Sequence, residues 1–233
     1  MTAIFKRGFL AYFRTPLGFV LISVMYLFTG YYFFTYNLYM NTADTAGLFA
    51  MLFSVVLFIV PVLTMRVLSE ERRMKTDHTL LTAAVSRFSI VMSKYLAAFC
   101  VYILAISGTV LMALVMEYFS QPDWPVVLGN FLGLLLLGSA LIAICLFISS
   151  LTENQVVAAA GGFAVSLFLV LLDAMQYVVT SSVFKLFFRH ISWNGRYRGF
   201  TIGLVGFMDI VFFISIAAFF VCLTALVLER RKW

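Results

Sequence analysis

Charge is scarce in this sequence, and the little there is avoids the long apolar runs. Only 11% of the 233 residues are Asp, Glu, Lys or Arg, against 64% hydrophobic. The stretches Leu17–Tyr36, Ala46–Met65, Tyr95–Met116, Val126–Ser149, Val156–Leu172 and Phe207–Leu228 contain none of the four, apart from Asp209. A helix on the surface of a soluble protein keeps a polar stripe at a period of 3.6, and these runs are apolar on every side, which excludes a soluble bundle. A G-x-x-x-x-G-K-[ST] loop is also lacking, and no lysine follows a glycine. The chain therefore has no phosphate-binding loop of that type, and any energy it uses comes from a partner or an ion gradient. Cysteine is limited to Cys100, Cys145 and Cys222, one to a run, with no C-x-x-C pair. Such a set reads as small apolar filler, not as a disulfide frame or metal site. The two histidines, His78 and His190, are expected on opposite sides of a membrane, which argues against a shared metal.

What is present is length. Most of the six runs approach the roughly 20 residues that a helix needs to cross about 30 Å of hydrocarbon. The expected fold is all-α: a polytopic membrane protein with six transmembrane helices in a single domain over residues 1–233, with no room for a separate soluble domain. Twelve of the 16 basic residues fall in the N-terminal segment, in residues 66–94 and at the C-terminus. Only Lys185, Arg189, Arg196 and Arg198 lie on the other side. The positive-inside rule then places both termini in the cytoplasm, and the net charge of +6 reflects topology and anionic lipid, not nucleic acid. The first run is too long for the apolar core of a cleaved signal and is expected to be the first span. Before it, Ile4, Phe5, Phe9, Tyr12 and Phe13 share one side of a helix, and Lys6, Arg7 and Arg14 share another. This spacing predicts an N-terminal interfacial helix over residues 1–16, ended by Pro16, which can begin the first span.

The connection between the second and third runs is the densest in charge. It holds Glu70, Glu71, Arg72 and Arg73, then Thr76 or Asp77 as cap of a short helix with Leu80, Leu81 and Ala84 on one face, then Ser86 as cap of the next helix. A short helix parallel to the membrane, with a pair of leucines and flanking charges, suits another protein's groove.

This segment resembles the coupling-helix region of type-2 ABC exporter permeases, nearest to the gliding-motility-type branch, whose members read approximately L-x-E-E-R-R-x-x-T-x-x-x-L-L-T-x-P-V-S. The matches are Leu68, Glu70, Glu71, Arg72, Arg73, Thr76, Leu80, Leu81, Thr82, Val85 and Ser86, while Ala84 stands where the family usually has proline. Tyr12-Phe13-Arg14-Thr15-Pro16, Leu151-Thr152-Glu153-Asn154-Gln155 and the ending Val227–Trp233 also fit, and the region from about Asp173 to Gly206 fits least well.

The resemblance implies a non-catalytic permease subunit of an ATP-driven exporter in a bacterial inner membrane. Two ATPase subunits would bind ATP and Mg, and this chain would pair with a second copy or a homologous permease. Residues 70–88 would be a cytoplasmic coupling region. Thr76, Asp77, Leu80, Leu81 and Val85 would dock on the ATPase, and Glu70, Glu71, Arg72 and Arg73 would fix the elbow. Gliding-type relatives are accompanied by an accessory membrane protein with a large outer domain, so the work is either export or force passed to that partner.

The remaining connections are less specific. Thr152 and Gln155 have the spacing of a capping box for the fifth span, and Glu153 could contact the ATPase or the basic elbow. The outer segment 173–206 reads as a second interfacial helix, and the resemblance implies a re-entrant outer helix pair before the last span. Ser181 or Ser182 would cap a helix with Lys185 and Arg189 on one face, followed by a Trp193-Asn194-Gly195 turn; its basic face would meet lipid headgroups, an acidic substrate or an accessory protein. Gly129, Asn130 and Gly133 form a small-residue face for close packing, and Pro61 is expected to kink the second span. A stand-alone channel or secondary carrier, the alternative class, would ordinarily show midplane charges or paired broken helices. An intramembrane hydrolase would need a nucleophile and base or paired aspartates, and neither Asp173 nor Asp209 has that setting.

Overall fold

The computed structural model describes residues 2–74, 86–119, 122–178 and 192–230. An amphipathic helix α1 (Thr2–Arg14) precedes α2 (Pro16–Phe33), which ends in a π-helical turn, Phe34–Leu38. Then follow α3 (Ala46–Thr64), the short α4 (Ser69–Arg73), α5 (Arg87–Ile106), α6 (Gly108–Phe119), α7 (Trp124–Leu151), α8 (Gln155–Val178), α9 (Trp193–Thr201) and α10 (Phe207–Arg230). Among the described residues, six stretches are long and apolar enough to span: Pro16–Leu38, Ala46–Arg73, Arg87–Tyr118, Trp124–Leu151, Gln155–Met175 and Phe207–Glu229. No strand occurs among the described residues. The chain is an all-α, multi-pass membrane protein.

Helix α7 is the central post. Leu134, Leu137, Leu141, Ile142 and Leu146 are fully enclosed, and α3, α5, α8, α9 and α10 pack around it. Between helices in lipid the hydrophobic effect gives little drive, so close packing by small residues and interhelical hydrogen bonds must supply it. Gly138 shows how. A Cβ there would lie 2.1 Å from Tyr102 Cε1, so the Tyr102 ring of α5 rests directly on the α7 backbone and its hydroxyl donates to the Leu134 carbonyl at 2.8 Å. Gly162 of α8 meets Pro61 of α3 in the same way, where a Cβ would come within 2.8 Å of the proline Cβ. Outward, α2, α8 and α10 expose Phe19, Leu27, Leu167, Phe168 and Phe219, faces suited to hydrocarbon.

The third run differs from its expected form at one point, within the span. Its start is as expected: the helix begins at Arg87, where Ser86 caps it by accepting from Ser89 N, and runs on into the span. It then breaks at Ser107, whose hydroxyl lies 2.8 Å from Tyr26 Oη and donates to the Leu104 carbonyl. The Tyr26 ring fills the place of a side chain at Gly108, where a Cβ would lie 2.9 Å away. A ring wedged beside a Ser-Gly pair is a known cause of a helix break.

The Trp193-Asn194-Gly195 segment is not a turn. It is the first turn of α9, capped by Ser192 Oγ accepting from Gly195 N at 2.8 Å and by Asp173 Oδ2 of α8 accepting from Asn194 N at 3.1 Å. Two oxygen acceptors for free N–H groups outweigh the local turn preference of Asn-Gly. Helix α9 closes one end of the bundle. Phe200 fills the notch at Gly133, and the Tyr197 hydroxyl donates to the Phe49 carbonyl at 3.0 Å. Burial pushes the Tyr197 phenol far above its ordinary pKa. The Gly129–Gly133 face thus receives this short helix, where the spacing predicts only close packing between helices. Arg196 joins α9 to α10 through Asp209 at 2.7 Å and lies over the Phe212 ring at 4.2 Å.

Candidate functional site

The opposite end of the bundle carries the polar machinery, and it is assembled around the five residues of α4. Met65 to Leu68 turn the chain out of α3, and a helix this short cannot satisfy its own first N–H groups. Ser149, near the end of α7, supplies the acceptor. Its hydroxyl accepts from Leu68 N at 3.3 Å and Ser69 N at 3.2 Å and donates to the Met65 carbonyl at 3.3 Å. Ser69 Oγ donates back to the Met65 carbonyl.

Three charged contacts fix the elbow to its neighbours. Glu71 pairs with Lys94 of α5, whose ammonium also donates to the Val67 carbonyl at 3.2 Å; Lys94 is only 4% exposed. Arg72 pairs with Glu153 at 2.9 Å and donates to the Leu151 carbonyl at 2.8 Å, so it holds the connection between α7 and α8. Arg66 Nε donates to Gln155 Oε1 at 3.1 Å. These contacts differ in worth. The Arg72–Glu153 pair is well solvated and contributes at most about 1 kcal/mol. Lys94 lies in a low dielectric, where loss of its partner would leave an expensive orphan.

The expected Thr152–Gln155 capping box is absent. Thr152 Oγ1 accepts from Asn154 N at 3.2 Å, Asn154 Oδ1 accepts from Val156 N at 2.9 Å, and Gln155 is drawn away by Arg66. Asn154 is therefore the cap of α8. A guanidinium within reach competes for the glutamine oxygen more strongly than a neutral backbone N–H does.

Two further ties surround the elbow. The Tyr12 hydroxyl of α1 donates to the Leu63 carbonyl at 2.9 Å, and burial raises its pKa. Arg87, at the start of α5, donates to the Glu229 carbonyl at 3.2 Å and lies 3.7 Å from its carboxylate, against the C-terminal end of α10. Between α1, α4 and α5 lies a cavity of about 450 Å³, into which Arg7, Arg66, Glu70, Glu71 and Lys94 project.

Of the residues singled out from the sequence, Glu71, Arg72 and Glu153 come together in this clamp. Glu70 borders the cavity, and Arg73 is exposed; neither enters an ion pair among the described residues. Thr76, Asp77, Leu80, Leu81 and Val85 lie outside the described residues, as do Lys185 and Arg189 of the expected outer helix. The sequence reading did not single out Lys94, Ser149 or Arg87. Lys94 had a signal, since it is a cation two turns into a helix that is apolar beyond it, and needs a partner. Ser149 had none, because a single serine near the end of an apolar helix is ordinary.

The effect of the clamp is mechanical, binding the end of α3, the start of α5 and the α7–α8 connection into one block. Residues 1–193 match the sequence profile of the ABC-2 type transporter family. The chain belongs to that family. No curated protein matches it. As an ABC-2 permease, it is the membrane component of an ABC transporter, and its family implies ATPase partner subunits. The match begins at α1 and runs through the whole clamp to the first residue of α9, so the block around α4 lies within the family's own domain.

Proposed function

We propose that this ABC-2 permease couples hydrolysis by two separate ATPase subunits to export, or to force passed to an accessory membrane protein, and that the clamp around α4 is where the ATPase stroke enters the membrane. The clamp faces the cytoplasm of a bacterial inner membrane, with both termini on that side. Residues 70–88 form the coupling region, in which Thr76, Asp77, Leu80, Leu81 and Val85 meet the ATPase and Glu153 stands beside them. A second copy or a homologous permease completes the pair, and ATP and Mg bind to the ATPase. The chain belongs to the gliding-motility-type branch of the family.

The observation that carries this reading is the joining of both connections at one end of the bundle through Arg72–Glu153 and Arg66–Gln155. A push on residues following Arg73 is delivered to α3, α5, α7 and α8 together instead of being lost in a loop. A ligand or partner shifts a conformational equilibrium only through differential contact with its two states, and a rigid entry point provides that contact.

The test is recovery of the ATPase with tagged permease from native membranes, for wild type and for Leu80→Asp with Leu81→Asp, at matched membrane abundance. Two leucines buried in a partner contribute roughly 3–6 kcal/mol before association costs, enough to decide a micromolar complex. Loss of the ATPase from the double variant is the expected result. Equal recovery would refute docking through that helix.

A further inference from the structure

The cavity beside α4 has the composition of an amphiphile site. Its walls are apolar where Ile4, Leu17, Val67 and Ala97 meet, and its volume of about 450 Å³ falls in the roughly 300–1,000 Å³ range of ligand pockets. Arg7, Arg66, Glu70, Glu71 and Lys94 add charge to the lining. Lys94 and Glu71 neutralise each other, which leaves Arg7 and Arg66 against Glu70, a net single positive charge. Access is from outside the bundle, because Arg7, Ala11 and Met74, all exposed, form part of the lining. Its level is also defined. Leu17 follows the proline that begins the first span, and Arg66 and Val67 follow the end of α3, so the cavity sits where hydrocarbon gives way to headgroups.

We propose that this cavity binds one anionic phospholipid of the surrounding leaflet, with an acyl chain along Ile4, Leu17, Val67 and Ala97 and the headgroup phosphate at Arg7 and Arg66. Basic pockets between helices at this depth select anionic headgroups, and guanidinium forks suit phosphate oxygens. The cavity shares Arg66, Glu71 and Lys94 with the clamp, but lipid binding there does not depend on the coupling role proposed above. Its consequence is that α1 and the elbow are held together partly by a lipid molecule instead of by side chains alone.

The probes are dioleoylphosphatidylglycerol, dioleoylphosphatidylcholine and glycerol 3-phosphate, added to the full-length chain in dodecyl maltoside and read by native mass spectrometry. One net cation near the headgroup is worth about fivefold in affinity, so wild type should retain one phosphatidylglycerol with about a fivefold preference over phosphatidylcholine. Ala11→Trp places an indole in the cavity from an exposed position and should abolish the tightly held lipid while the protein stays monodisperse. Arg7→Ala should reduce the preference to about unity and leave phosphatidylcholine retention unchanged. Undiminished phosphatidylglycerol in Ala11→Trp would overturn the site. Displacement of the lipid by glycerol 3-phosphate would overturn the acyl-chain part of it.

Discussion

Replacing Lys94 by methionine keeps the length and apolar body of the side chain and removes only the charge and its hydrogen bonds. In the wild-type protein the ammonium serves both the Glu71 carboxylate and the Val67 carbonyl, and it is almost wholly enclosed. Breaking a buried pair from one side costs about 3–5 kcal/mol, because the remaining charge stays behind. Glu71 keeps about a quarter of its side chain in contact with solvent, at 27%, which reduces the penalty to roughly 2–3 kcal/mol. For a chain of this size that corresponds to a loss of about 4–12 °C in melting temperature. The assay is thermal denaturation of detergent-solubilised protein followed by fluorescence-detected size exclusion. It covers Lys94→Met, Glu71→Gln and the double variant. The double variant should recover at least half of the loss, since neutralising Glu71 removes the orphan charge. Additive losses from the two single variants would refute the argument, because they would mean that the two groups do not interact energetically.

Three other outcomes follow from the structure. Gly138→Ala should lower the melting temperature by about 2–8 °C, since its Cβ would enter the Tyr102 ring and overpacking costs about 1–2 kcal/mol; Tyr102→Leu in the same chain should restore part of it. Glu153→Arg should leave thermal stability within about 1 kcal/mol of wild type while lowering ATPase-coupled activity, because the exposed pair contributes little energy but sets the position of the α7–α8 connection. Ser86→Cys should resist an impermeant thiol reagent in sealed cells and react after permeabilisation, as the cytoplasmic placement proposed for residues 66–94 requires.

The sequence made the spans legible because lipid imposes a single rule on each exposed helix, and long charge-free runs have few other uses. The Ser86 cap was legible for a similar reason, as its partner is only three residues away. Long-range competition was not. Gln155 has the spacing of a capping residue, but it binds Arg66, 89 positions earlier. The Trp193-Asn194-Gly195 segment has the local chemistry of a turn, but Asp173, 21 residues away, supplies the acceptor that makes it helical. The break at Ser107 likewise depends on Tyr26 of another helix. In the clamp, Glu71 and Arg72 stood out by charge density and Glu153 by its place in a short polar connection, whereas the lysine and serine that complete it are single residues in apolar surroundings.

Helix α10 is fastened at both ends, to α5 by Arg87 and Glu229 and to α9 by Arg196 and Asp209. Its 24 residues form an uninterrupted rod of about 36 Å. A tilt that begins at the base of α5 therefore reaches the aromatic cover formed by Trp193, Tyr197 and Phe200 without crossing a loop. The last span thus ties the two ends of the bundle to each other through its own two termini.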